Sequence, residues 1–104
     1  LIELRNDIYA HPEYDWTLEH MANYVNLSVR ALQKQYKAFA HISCINEVIE
    51  SRIEHSKVLL SRTSHSIQEI SYACGYRNVE HFCRQFKKHE NITPNQYRKE
   101  HRSL

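Results

Sequence analysis

The chain has 104 residues, of which 41% are hydrophobic, with one Gly and two Pro. That length supports one compact unit with a core but not two large domains, and so little Gly and Pro argues against hairpins and flexible linkers. A net charge of only +2 gives no bulk nucleic-acid signature, and no apolar run is long enough to span a bilayer or mark a signal peptide.

The elements read in chain order as all-α, with about seven helices. The chain begins at Leu1 rather than Met, and is expected to be a piece of a longer protein. Leu1 to Ala10 forms a first helix with Leu1, Leu4, Ile8 and Arg5 on one side. Pro12 ends it by removing an amide donor and disfavouring helix at His11. Thr17 is an N-cap, and Trp16 before it is placed to pack on Met21 as a hydrophobic staple. Leu18, Met21, Ala22 and Val25 then form one buried face. Asn26-Leu27 turns the chain, and Ser28 caps a helix over about 28–40 that buries Leu32 and Tyr36. His41 falls where a left-handed residue is needed, which His tolerates better than most. Ser43 caps a central helix to about Leu60, with Ile45, Val48, Ile49, Ile53, Ser56, Leu59 and Leu60 as its expected buried stripe.

The second half repeats the first. Ser66-Ile67-Gln68-Glu69 is a capping box, Gly75 makes the turn, and Asn78 caps a helix over about 78–89 that buries Phe82 and Phe86. Asn91 is its left-handed exit. Thr93-Pro94-Asn95-Gln96 starts a last helix that folds Tyr97 onto the core, and residues 99–104 are expected to fray. The offset between copies is 49 residues before the turn (Leu18 to Ile67) and 50 after it (Leu32 to Phe82). Arg77 is the one inserted residue. A short helix, a tight turn and a basic second helix, present twice, suit a protein that reads two places on one DNA face.

Charge is unevenly distributed. Residues 1–26 carry a net −4, whereas residues 27–62 and 63–104 carry +3 each. The basic excess includes Arg30, Lys34 and Lys37 in one copy and Arg77, Arg84, Lys87 and Lys88 in the other; its plain alternative is an ordinary solvated helix face. Cys44, Cys74 and Cys83 are odd in number and form no C-x-x-C pair, which favours reduced thiols in a cytosolic protein, with Cys74 a small core residue. The eight His residues show no ligand spacing, so no metal and no cofactor are expected. No thiol shows a nucleophile pattern, and no enzymatic activity is expected.

Helical geometry, at about 100° per residue, turns Arg30, Gln33, Lys34 and Lys37 away from Leu32 and Tyr36. It turns Glu80, Cys83, Arg84 and Lys87 away from Phe82 and Phe86. Arg30, Gln33, Lys34, Glu80, Cys83 and Arg84 are the candidates for base edges. Arg and Lys donate to guanine, Gln pairs with adenine, and Glu accepts from cytosine. Glu80 has the alternative of pairing with Arg84 one turn on. Cys83 suits a thymine methyl, and a thiol switch there is a second possibility beside an incidental small residue. Thr17, Ser28, Lys37, Ser66, Arg77, Asn78 and Lys87 are the phosphate candidates, although the Ser, Thr and Asn positions also serve as caps.

These residues resemble the AraC/XylS-type DNA-binding domain of bacterial transcription regulators. The resemblance runs from about Trp16 to Arg98. It rests on Trp16-Thr17-Leu18, Ala22, Leu27-Ser28, Arg52-Ile53, Leu59-Leu60, Ile67-x-Glu69-Ile70, Gly75-Tyr76, His81-Phe82-x-Arg84-x-Phe86-Lys87-Lys88 and Thr93-Pro94-x-x-Tyr97-Arg98. It implies two helix-turn-helix subdomains (1–42 and 62–104) joined by a linker helix (43–61), inserting into successive major grooves of a non-palindromic promoter site. It also implies transcription regulation in the bacterial cytoplasm at the nucleoid, RNA polymerase as a partner, and a sensor or dimerisation domain outside the chain. Where the family has Gly, this chain has His41 and Asn91. Where it has Ser-Pro-x-x-Tyr, this chain has Ser43-Cys44-Ile45-Asn46-Glu47. Ser56 and Ser71 replace small Ala residues, and Glu80 replaces a small hydroxyl residue. Two other readings stay open at this point: the DNA-binding part of an alkylation-repair protein, and a helical protein-interaction module.

Overall fold

The computed structural model describes residues 1–102. Seven helices and no strands occur among them: α1 (Ile2–Ala10), α2 (Leu18–Tyr24), α3 (Val29–Ala40), α4 (Cys44–Arg62), α5 (Ile67–Ala73), α6 (Val79–Glu90) and α7 (Pro94–His101). The fold is all-α, as the sequence pattern predicts. The chain divides into two compact units, Leu1–Ser51 and Arg52–Leu104, with the break inside α4.

The first unit packs Leu4 and Ile8 of α1, Trp16, Met21 and Ala22 of the α2 region, Leu32 and Tyr36 of α3, and Cys44 and Val48 of α4 into one cluster. The Trp16 indole N–H donates to His11 O at 2.8 Å, so the ring is buried without leaving its polar edge unpaired. The first turn of α4 differs from the expected stripe. Ile45 is 39% exposed, whereas Cys44 and Glu47 are buried at 1% each. The reason is polar rather than hydrophobic. The Tyr36 hydroxyl donates to Glu47 Oε1 at 3.0 Å, and the Tyr9 hydroxyl donates to Oε2 at 2.7 Å. Arg5 Nε reaches Oε1 at 2.8 Å. A carboxylate with three donors is stable where an unpaired one is not, so Glu47 takes the inward position and rotates Ile45 out.

The second unit is built on the same plan. Ile53, Ser56 and Leu60 of α4, Ile70, Ser71, Cys74, Tyr76, Phe82, Phe86 and Pro94 are buried. Phe86 meets Tyr97 edge-on at 5.7 Å. Under the 50-residue offset, Phe86 and Tyr97 stand where Tyr36 and Glu47 stand in the first unit. One copy therefore closes its core with an aromatic pair, the other with a buried hydrogen bond. The cation differs in kind too: Lys57 Nζ lies 5.8 Å from the Tyr97 ring centre, and ion-pairs with Glu54 and Glu90 at 3.0 and 3.2 Å. Arg98 donates to Leu60 O and His65 O at 3.0 and 2.7 Å, tying α7 to the end of α4. Residues 99–101, expected to fray, are the exposed last turn of α7; residues 103 and 104 lie outside the described ones.

The departures from the family pattern are absorbed locally. His41 and Asn91 adopt the left-handed conformation at φ 61 and 68°. The buried hydroxyls of Ser56 and Ser71 bond back to Ile53 O and Gln68 O at 2.7 Å each, so neither is stranded in the core.

Candidate nucleic-acid interface

Each unit places a second helix by the same set of local bonds. Thr17 Oγ1 accepts from His20 N at 3.0 Å, and Ser66 Oγ accepts from Glu69 N at 3.0 Å. Asn26 and Gly75 then take positive φ, 56 and 93°, at equivalent positions. The next amide closes each turn by reaching five residues back: Leu27 N to Ala22 O and Tyr76 N to Ser71 O, both 3.0 Å. Ser28 Oγ then caps α3 through Ala31 N at 3.1 Å, and Asn78 Oδ1 caps α6 through His81 N at 2.8 Å. Residue types differ between the copies, but the hydrogen-bond plan is one, and it sets the entry angle of the basic helix.

Burial of Leu32 and Tyr36 leaves Arg30, Gln33, Lys34 and Lys37 exposed along one side of α3. Burial of Phe82 and Phe86 leaves Glu80, Arg84 and Lys87 exposed along α6. Cys83 is the exception. It is half-buried rather than exposed, whereas Gln33, at the equivalent place, is exposed. Burial, and then the charge of Glu80, push its thiol above the ordinary value. The protonated thiol is therefore the resting form, which weighs against a reactive switch. Glu80 and Arg84 stand one turn apart, and among the described residues no ion pair joins them.

The phosphate candidates are all at the surface: Thr17, Ser28, Lys37, Ser66, Arg77, Asn78 and Lys87. Thr17, Ser28, Ser66 and Asn78 also act as caps, so each side chain already has a structural bond. Lys37 has one as well, since its Nζ lies 3.4 Å from His41 O, where it supports the left-handed exit of α3. Glu69 completes the Ser66 capping box, and the Ser66 backbone amide holds its carboxyl below the ordinary 4.5. Lys87, Lys88 and His89 form a basic last turn on α6. Favourable interaction with the helix C-terminus accounts for part of that clustering independently of any ligand.

Sequence reasoning missed two features. One is the Glu47 cluster, which a hydrophobic stripe cannot reveal. The other is a hydrogen bond from the Tyr76 hydroxyl to Gln85 Oε1, which joins the turn to the middle of α6. Lys88, exposed beside Lys87, was noted only as part of the basic excess.

No group of His, Cys, Asp or Glu among the described residues is arranged to hold a metal ion. No helix among them is long and apolar enough to cross a membrane.

A family described as a helix-turn-helix domain matches residues 21–100. Among curated proteins, the HTH-type transcriptional regulator MtrA of Neisseria gonorrhoeae is 30% identical over 89 residues, which is 86% of this chain and 30% of that protein. The chain thus spans under a third of the length of that relative. Among solved structures, the C-terminal domain of AraT, a response regulator from Geobacillus stearothermophilus, superposes with a TM-score of 0.92 at 33% identity, covering 98% of this chain and 85% of that one. A transcriptional regulator from Chromobacterium violaceum, described as an AraC-type DNA-binding domain-containing protein, superposes at 0.87 and 30% identity, covering 99% and 92%. The two capped basic helices, the left-handed turns and these likenesses agree: the chain belongs to the AraC-type helix-turn-helix family of transcription-regulator DNA-binding domains.

Proposed function

We propose that the chain binds double-stranded promoter DNA sequence-specifically, with α3 and α6 entering successive major grooves of a non-palindromic site. The observation that carries this reading is the repeated cap–turn–cap frame that holds an exposed cationic face on each second helix. Arg30, Gln33 and Lys34 of α3 read base edges; Arg84 does so on α6, with Glu80 and the half-buried Cys83 as weaker readers. Thr17, Ser28, Lys37, Ser66, Arg77, Asn78 and Lys87 contact phosphates. In this division residues 1–42 and 62–104 are the two reading subdomains and 43–61 the linker helix. The first reader supplies most of the discrimination, because its face carries three base-edge donors against one clear donor on the second.

The chain acts as part of a longer regulator, with a sensor or dimerisation domain elsewhere, RNA polymerase as a partner and the bacterial nucleoid as its place of work. The family is one of regulator DNA-binding domains rather than enzymes, which favours this reading over a repair protein or an interaction module. The test is footprinting on duplexes selected from a random library, at rising salt. Arg30→Ala and Arg84→Ala should each weaken binding about 5- to 100-fold and relax preference at one base position. If neither variant changed affinity or base preference, the reading faces would be misassigned.

A further inference from the structure

The two readers are held differently. Tyr76 sits one residue after the left-handed Gly75, and its ring is 4% exposed. The ring packs on Phe82 at 5.2 Å and meets His81 edge-on at 5.5 Å, with the Arg52 guanidinium 5.6 Å from its centre. From this anchored ring the hydroxyl donates to Gln85 Oε1. Burial pushes the phenol above its ordinary range, so the group is a proton donor at every physiological pH. In the first unit, the offsets of 49 and 50 put Leu27 at the Tyr76 position and Gln35 at the Gln85 position. Leu27 has no hydroxyl and Gln35 is exposed, so the first reader lacks the bond although it has the glutamine.

We propose that the Tyr76–Gln85 hydrogen bond is a positioning tether that fixes the rotation of α6 against its own turn, and so fixes Arg84 relative to Arg77. The sequence neighbours carry the argument. Tyr76 precedes Arg77, the phosphate candidate inserted at the mouth of the second reader, and Gln85 follows Arg84, its principal base reader. One bond thus joins the backbone segments that bear both groups. The two phenylalanines pin α6 by packing, which resists withdrawal from the core more than rotation about the helix axis. A directional bond at the flank adds the missing constraint. A reader with a single clear base-edge donor depends more on that constraint than one with three. Tyr76 and Gln85 act through Arg77 and Arg84 and touch no base themselves.

This proposal rests on the assignment of α6 as a DNA reader, and the experiment separates the two. The chain selects duplexes from a random-sequence library, and Arg84→Ala identifies which half-site α6 reads by relaxing base preference there. Tyr76→Phe, Gln85→Leu and the double variant are then titrated against the selected duplex and against one with the α6 half-site scrambled. Tyr76→Phe keeps the buried ring and therefore the fold. Each single variant should weaken binding to the intact duplex about three- to tenfold, the size of one lost hydrogen bond. The double variant should lose no more than either single one, and none should differ from the parent on the scrambled duplex. Wild-type affinity for Tyr76→Phe, additive losses, or an equal loss on the scrambled duplex would each overturn the tether. An Arg84→Ala variant with unchanged preference would overturn the α6 reading itself.

Discussion

At the scale of single residues, Glu47 is the position where substitution should cost most for its size. Its carboxylate is buried, accepts from two tyrosines and pairs with Arg5. Glu47→Ala leaves the buried Tyr36 hydroxyl unpaired, and should lower stability by about 2–4 kcal/mol, read as a fall in thermal midpoint. Tyr36→Phe alone should cost about 1 kcal/mol, and the pair of changes should be less than additive, because both remove one interaction. Nothing in the sequence around Glu47 announces this. Its partners lie 11, 38 and 42 positions away, and charge alone places a Glu at the surface. The capping residues were legible for the opposite reason. Thr17, Ser28, Ser43, Ser66, Asn78 and Thr93 each bond an amide three residues on, and all six were named from sequence. Cys83 shows the limit of a helical wheel. The wheel turns it away from Phe82 and Phe86, yet it is half-buried where Gln33, at the equivalent place, is exposed.

At the scale of elements, the four left-handed residues set where each second helix begins and ends. Three of them, Asn26, His41 and Asn91, carry a Cβ at positive φ, whereas Gly75 does not. His41→Gly and Asn91→Gly should each stabilise the fold by some tenths to about 1 kcal/mol, and Gly75→Ala should destabilise it by about 1–2 kcal/mol, by the same steric argument with the sign reversed. Thermal melts of the three variants check this. Phe82→Ala should be far worse, at about 3–5 kcal/mol, since the ring is fully buried between the turn and Phe86. The boundaries of α3 and α6 were readable within about a residue because cap, apolar spacing and exit signal agree. The first turn of α4 was not, because a hydrophobic stripe placed Ile45 inward and a hydrogen-bond cluster overruled it.

At the scale of the whole molecule, charge sets the response to salt and to acid. Lys37→Ala or Lys87→Ala should weaken DNA binding across all sequences alike and reduce the salt slope by about one unit, without changing base preference. Acid acts on the fold itself. Glu69 is held below the ordinary 4.5 by the Ser66 amide; Glu90 lies below it too, because the bonds from His89 and Lys57 outweigh burial. A carboxyl depressed in the folded state stabilises the fold above its unfolded value, and that contribution disappears as pH falls through the folded value. The thermal midpoint should therefore hold near neutrality and fall below about pH 4.5, and Glu90→Gln should make the fall shallower. Burial opposes charge on Lys57, but Glu54 and Glu90 more than offset it and raise its pKa. Its contribution is complete at neutral pH, where its carboxylate partners are ionised, and is lost as pH rises through the folded value.

The exchange of Tyr36 and Glu47 for Phe86 and Tyr97 has a historical consequence. If the two units descend from one duplicated segment, Glu47 could not change alone without stranding the buried Tyr36 hydroxyl, and Tyr36 could not change alone without taking one of the carboxylate's three donors. A Glu facing a phenylalanine loses a hydroxyl donor, and a tyrosine facing an aromatic ring loses its carboxylate acceptor. The two sites should therefore covary as a coupled character across the lineage. Chains that carry Glu at the position of Glu47 should carry Tyr at that of Tyr36, and the mixed combinations should be rare in either half.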